Sequence, residues 1–292
     1  MLDLHLHSNC SDGSDPPAQL VAKAAAVRTA SGDRLTTIAL TDHDTLAGIP
    51  EARQAAAELG LDLIAGCEVS ALFEGRSIHL LCYFVDAEDS PLAAMLEGLR
   101  LDRAARNQQL LAALADGGFP LDPAAVRARA GSDEGVGRPH VAEELVARGH
   151  AHSIQDAFNR FLAAGAPYYV PKAHLAPAVV AEAAHASGAL CVVAHPLLNG
   201  WRGEELAQAL EQLAAAGIDG VEAYYSRSSP AEVAEVLQLA QDLELVATGG
   251  SDYHGTKKPD LEVGIGLGSL EVPESVRTAL LERRQDVVSS SS

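Results

Sequence analysis

The sequence predicts an α/β fold in which parallel β-strands are covered by helices and curl into a closed or nearly closed barrel. Three observations predict it. Short β-like runs alternate with Ala- and Leu-rich amphipathic stretches, as in strand–helix–strand crossovers. About seven such runs occur, which favours a barrel over the alternative of an open sheet. His, Asp and Glu recur where these runs end, and the carboxyl ends of parallel strands are where α/β folds bind ligands.

The β-like runs fall at residues 2–6, 36–40, 62–68, 77–84, 189–194, 220–224 and 245–248. Helical patterns between them cover 17–28, 46–59, 203–216 and 230–243. Two segments depart from simple alternation. Residues 69–78, with Glu74-Gly75-Arg76, are too short for a crossover helix and predict a hairpin. That turn would bring His79 near the level of Glu68. Residues 88–175 hold no convincing strand, only helical patterns over 91–115, 123–129, 138–148 and 153–162. A discontinuous barrel is therefore expected over 1–87 and 176–285, with a helical insertion over 88–175 that contributes to substrate binding. A disordered tail is expected over 286–292.

Composition narrows the function. The hydrophobic share of 48% supports a sizeable core. The longest apolar runs, such as 189–194, are far too short to cross a bilayer, and the first residues show no basic stretch followed by an apolar one, so they are expected to be mature protein. A soluble cytoplasmic protein without membrane partners is expected. The formal net charge of −19 argues against stable binding of duplex nucleic acid, which needs a broad basic surface. A short nucleotide or an oligonucleotide end remains compatible with it. The 4 cysteines include no CxxC pair, so buried reduced thiols are expected. Oligomeric state is not legible.

The polar residues at the strand ends carry the chemistry. His5 and His7 lie two apart on a strand, so period-two geometry turns both to one face, where they can share an ion. Thr41-Asp42-His43-Asp44 follows the second run, Glu68 ends the third, His195 ends the fifth, and Ser251-Asp252-Tyr253-His254 follows the last. A mixed imidazole and carboxylate set suits Zn²⁺, Mn²⁺ or Fe²⁺ and is a poor fit to Ca²⁺. Asp42 and Asp44 are expected to orient His43 or cap the next helix. His150-Ala151-His152 imitates the HxH spacing but lies away from any strand end, so solvated or locally bonded side chains are expected there.

Together with Ser11-Asp12-Gly13, Gly66-Cys67-Glu68, His79 and Ala194-His195-Pro196, this ordered set resembles the polymerase and histidinol phosphatase (PHP) family over nearly the whole chain. The segments Gly137-Arg138-Pro139-His140-Val141 and Tyr169-Val170-Pro171-Lys172 resemble its stand-alone phosphoesterase branch, which includes nucleoside 3′,5′-bisphosphate phosphatases and 5′-to-3′ exoribonucleases. The resemblance implies a distorted (β/α)7, TIM-like barrel with a helical insertion domain, holding two or three divalent ions (Mn, Zn or Fe). It assigns His5, His7, Glu68 and Asp252 to a first ion. It assigns Asp12, His43 and His254 to a second, and Glu68 as a bridge with His79 and His195 to a third. Some relatives carry His where this chain has Asp12, which would alter the charge of the second site.

The expected activity is that of a metal-dependent phosphoesterase. Its substrates would be phosphate monoesters of small nucleotides, such as nucleoside 3′,5′-bisphosphates or mononucleotides, or short 5′-phosphorylated oligonucleotides. Clustered cations offset the repulsion between a phosphate dianion and an attacking hydroxide, so no protein nucleophile is needed. Arg138 and Lys172 are the expected ligands of the remaining phosphate oxygens. His140 is a further phosphate contact or the general acid, and Arg202 a further substrate contact. The alternatives are a histidinol-phosphate phosphatase, an amidohydrolase-type C–N hydrolase and a non-catalytic metal-binding PHP module. The amidohydrolase reading lacks a mid-barrel lysine, since Lys23, Lys172, Lys257 and Lys258 are the chain's lysines.

Overall fold

In the computed structural model, which describes residues 1–28, 32–85, 89–130, 136–171 and 175–290, seven strands form one sheet in chain order. They are β1 (Leu2–Leu6), β2 (Thr37–Leu40), β3 (Asp62–Phe73), β4 (Arg76–Tyr83), β5 (Leu190–Val193), β6 (Gly220–Tyr225) and β7 (Val246–Gly250). Pairing is parallel except around β4, which runs antiparallel to both β3 and β5. Past β7 the chain returns to β1: Asp252 N–H donates to His5 O (2.9 Å) and His7 N–H to Tyr253 O (3.0 Å). The result is the nearly closed, TIM-like seven-stranded barrel that the sequence leads one to expect.

The reversal of β4 has a local cause. Glu74 and Gly75, the two residues joining β3 to β4, have φ of 48° and 78°. Two successive positive φ values make the tight turn whose twist matches a hairpin, and glycine accepts the second at no steric cost.

Among the described residues ten α-helices follow in chain order. They are α1 (Pro17–Ala26), α2 (Ile49–Leu59), α3 (Pro91–Asp116), α4 (Pro123–Ala130), α5 (Arg138–Ala147), α6 (Ile154–Ala157), α7 (Pro177–Ala186), α8 (Gly203–Ala215), α9 (Pro230–Asp242) and α10 (Ser275–Ser290). None is long and apolar enough to cross a membrane. The chain divides into two units, Met1–Leu96 with His174–Ser292, and Glu97–Ala173.

In the first unit, Leu20 and Val21 of α1 and Ile49 and Ala52 of α2 bury their apolar stripe against Leu6, Ile38 and Leu40. Val276 and Leu280 of α10 pack with Leu190, Val192 and Val246. This anchoring corrects the expected disordered tail: residues 286–290 extend α10. Cys67, Cys82 and Cys191 are buried free thiols that face one another across β3, β4 and β5. In the second unit, Leu114, Val126, Val141, Leu145 and Phe161 form a separate helical core.

A polar clamp fastens α7 to the sheet. Asp219 Oδ2 accepts the Cys191 N–H at 2.8 Å and lies 2.8 Å from His185 Nε2 near the end of α7. The hydrogen bond to Asp219 raises His185 above its ordinary pKa of 6.5. A group whose pKa is raised by folding stabilises the native state below its unfolded pKa, and loses that contribution as pH rises through its folded value. The stability gap between wild type and His185→Gln is therefore expected to be widest below pH 6.5 and to close as the medium becomes alkaline. Urea midpoints measured across that range test it, and a gap independent of pH would reject the charged clamp.

Candidate metal centre

The centre is built around one carboxylate. Glu68 lies well inside β3 and is 1% exposed. Five imidazole nitrogens surround its two oxygens. Oε2 lies 3.1 Å from His7 Nε2, 3.3 Å from His5 Nε2 and 3.3 Å from His43 Nδ1. Oε1 lies 2.8 Å from His79 Nδ1 and 3.2 Å from His195 Nε2. Strand geometry explains how these converge. His5 and His7 leave the same face of β1, while His43 follows β2 and His195 follows β5. His79 arrives differently. It pairs with Ser70, two residues beyond Glu68, so it is a diagonal neighbour on the same face of the hairpin.

The segment after β7 adds a second side. Asp252 Oδ1 lies 3.4 Å from His254 Nδ1, 3.5 Å from His7 Nε2 and 3.7 Å from His5 Nε2. Its Oδ2 accepts from Tyr225 O–H at 2.9 Å and Lys258 Nζ at 2.7 Å. Asp12, on the loop after β1, has an exposed carboxylate 3.2 Å from His254 Nε2, 3.7 Å from His43 Nε2 and 3.8 Å from His7 Nδ1. His195 and Asp252 both hold left-handed backbone, with φ of 28° and 56°. Non-glycine residues pay for such conformations, which persist where surrounding bonds over-determine them.

The electrostatics follow from burial opposed by neighbours. Burial alone would raise Glu68, but His43, His5, His79 and the hydrogen bond with His195 hold it well below the usual carboxylate range. Burial pushes His7 down to about 3, helped by His254 and His43 and against the pull of Glu68. His7 is thus neutral near pH 7, with a lone pair to give. Burial also opposes charge on His5, yet Glu222, Glu68 and Asp252 draw its pKa well above the ordinary value.

This donor set fits divalent cations. Among the described residues neither buried ring nitrogen of His7 has an aligned hydrogen-bond partner, although Nε2 approaches Glu68, and His195 Nδ1 has none either. Such orphaned groups are costly unless a ligand uses them. Among the described residues four groups have ligand atoms within 4.8 Å of one another: His7/Asp12/His43/His254, His5/Glu68/His195, His5/His7/Asp252 and His43/Glu68/His79. Mixed nitrogen and carboxylate donors are those of Zn²⁺, Mn²⁺ and Fe²⁺. The third expected trio, Glu68 with His79 and His195, is divided here between two groups that share Glu68.

Comparison with known proteins agrees with the geometry. Residues 3–120 match the family described as PHP domain. The chain is 34% identical over 253 residues to the 5′-3′ exoribonuclease of Haemophilus influenzae, across 86% of this chain and 89% of that protein. The chain belongs to the PHP family. It is also 29% identical to the 3′,5′-nucleoside bisphosphate phosphatase of Chromobacterium violaceum, over 90% of each chain. A crystal structure from Bifidobacterium adolescentis, assigned as a metal-dependent phosphoesterase, superposes with a TM-score of 0.76 at 32% identity, covering 97% of this chain and 96% of that one.

Within this PHP chain, other expected residues take varied places. Asp42 does not orient His43 or cap α2. Its carboxylate accepts from Ser8 N–H (2.7 Å), Ser8 Oγ (2.6 Å) and Ser11 Oγ (2.6 Å), and so fastens the loop that carries Asp12. Asp44 Oδ1 accepts the Ser70 N–H at 3.3 Å. Arg202 is folded onto its own loop, donating to Leu197 O and Trp201 O at 2.7 and 2.6 Å. In the second unit, Arg138 donates to Leu162 O at 3.3 Å and lies 5.5 Å from the Tyr169 ring centre. His140 Nδ1 accepts the Gly137 N–H at the start of α5, a capping role. Lys172 and His174 lie outside the described residues. His150 packs edge-on against Phe119, and His152 N–H donates to Asp156.

Three residues of the PHP centre escaped the sequence reading: Glu222, Tyr225 and Lys258. Tyr225 and Lys258 grip the outer oxygen of Asp252. Glu222 could have been noticed, because an acid between Val221 and Ala223 in a buried strand needs partners.

Proposed function

We propose that this chain hydrolyses phosphate monoesters of small nucleotides, such as nucleoside 3′,5′-bisphosphates or mononucleotides, or the 5′-phosphorylated ends of short oligonucleotides. The observation that carries the reading is the buried Glu68 carboxylate with five imidazole nitrogens at 2.8–3.3 Å. The named activities of the Haemophilus and Chromobacterium relatives support the nucleotide class.

His5, His7, Glu68 and Asp252 would hold a first ion, Asp12, His43 and His254 a second, and Glu68, His79 and His195 a third, with manganese, zinc or iron as the metal. Bound ions would supply Lewis acidity toward the phosphoryl oxygens and toward water. Glu68 balances the charge of the cluster and fixes the spacing of the imidazoles around it. Tyr225 and Lys258 hold Asp252 with one oxygen turned to His5 and His7. Arg138 and Lys172 are assigned to phosphate oxygens, His140 to the leaving-group proton, and Arg202 to a lesser substrate contact. The motif resemblance supports the first three roles, and the position of Arg202 after a strand end supports the fourth.

A phosphate-release panel tests the proposal. It contains nucleoside 3′,5′-bisphosphates, mononucleotides, histidinol phosphate and 5′-phosphorylated oligonucleotides, assayed before chelation, after it and after Mn²⁺ is restored. Turnover of the nucleotide substrates, lost on chelation and regained with Mn²⁺, is expected. Turnover of histidinol phosphate alone would reject the nucleotide class. Activity indifferent to chelation would reject the metal assignment.

A further inference from the structure

We propose that Glu222 is a positioning residue of the metal centre, a carboxylate that selects the nitrogen His5 offers and pins the backbone from which His195 projects. The inference rests on the metal-centre reading above. Both Glu222 oxygens are engaged, one by the His5 ring and one by the His195 amide, so the role assigned to it is positioning and not ligation. Its side chain is fully buried in β6, where an unpaired carboxylate would be severely penalised.

Its two oxygens serve different strands. Oε1 lies 3.0 Å from His5 Nδ1, and Oε2 accepts the His195 N–H at 2.7 Å. Once a cation displaces the second ring proton, the proton that remains on His5 faces Glu222 from Nδ1, and the lone pair is left on Nε2. That nitrogen faces Glu68 Oε2 at 3.3 Å and Asp252 Oδ1 at 3.7 Å, within the donor cluster. The second bond acts on backbone. His195 holds φ 28° and ψ 60°, a conformation that non-glycine residues adopt only under constraint. The bond from its amide to Glu222 supplies that constraint, and His195 Nε2 then lies 3.2 Å from Glu68 Oε1. One buried acid therefore governs two imidazoles that reach the two different oxygens of Glu68. Carboxylate–histidine pairs of this kind fix the tautomer and raise the basicity of the free nitrogen.

The test uses the full chain stripped of metal by chelation and titrated with Mn²⁺ by equilibrium dialysis and elemental analysis. Wild type, Glu222→Gln and Glu222→Ala are compared, with circular dichroism to verify folding. Glu222→Gln keeps the shape and an acceptor oxygen but loses the charge, and a drop in Mn²⁺ affinity of about 10- to 100-fold is expected. Glu222→Ala is expected to lose more. If it fails to fold, the isosteric Gln variant carries the comparison. In Zn²⁺-loaded protein, ¹⁵N NMR of the histidine rings is expected to show the His5 proton on Nδ1 in wild type and a disturbed pattern in Glu222→Gln. A merely structural role would lower thermal stability and leave Mn²⁺ affinity and the His5 tautomer as in wild type, and that result would overturn the proposal. Wild type that binds no Mn²⁺ would instead sink the metal-centre reading itself.

Discussion

Glu68→Gln is expected to lose at least one bound ion and to lower kcat/KM by about 10³-fold or more, the equivalent of several kcal/mol. The amide matches the carboxylate in shape, so packing in β3 is preserved. What disappears is the anion that five imidazole nitrogens approach at 2.8–3.3 Å. Two of the four donor groups share that residue, so one substitution weakens both. Metal content by elemental analysis, read beside phosphate release, checks the result. A Gln variant that retains full metal content and full activity would remove Glu68 from the centre of the scheme.

Gly250→Ala is expected to cost about 3 kcal/mol of stability and to reduce metal retention. A Cβ at Gly250 would stand 2.4 Å from His5 Cβ and 2.5 Å from His5 N. Those atoms belong to the first strand of the barrel and cannot swing aside as a flexible side chain could. Relief requires β1 and β7 to separate, which displaces His5 from Glu68 and Asp252. Gly98→Ala in α3 supplies the contrast, because among the described residues nothing lies within 4 Å of its added carbon. There the helix should gain up to about 1 kcal/mol. Thermal melts and metal analysis of the two variants check the pair. Equal melting temperatures would show that the β1–β7 approach does not govern His5.

The strands were legible because their apolar runs are short and bounded by polar residues. Likewise, Glu74-Gly75 announced the hairpin that brings His79 toward Glu68. Glycine misled at the end of β7. Gly249 and Gly250 have low strand propensity and suggest a strand that stops at Thr248. Both belong to β7, because a side chain at either would meet Tyr224 or His5. Helix α10 was missed because its sequence is polar on most faces, and Val276 and Leu280 are its buried residues. Asp42 was misassigned because a helix cap and a loop fastener use the same residue type at the same kind of position. Glu222 went unseen for a different reason. Its partners, His5 and the His195 amide, lie 217 and 27 residues away, and period-two patterning cannot say which strand neighbours which.

The seam of the barrel has a consequence for how the protein assembles. Donors at His5 and His7 come from the opening residues of the chain, while Asp252 and His254 arrive after the last strand has been made. A cation gripped by both ends, as proposed above, would act as a clasp on the ring. During synthesis it could not close until the final strand emerged, so high-affinity ion capture would report completion of the fold. In the mature protein, stripping that clasp should first loosen the join between β1 and β7, where hydrogen exchange would rise ahead of global unfolding.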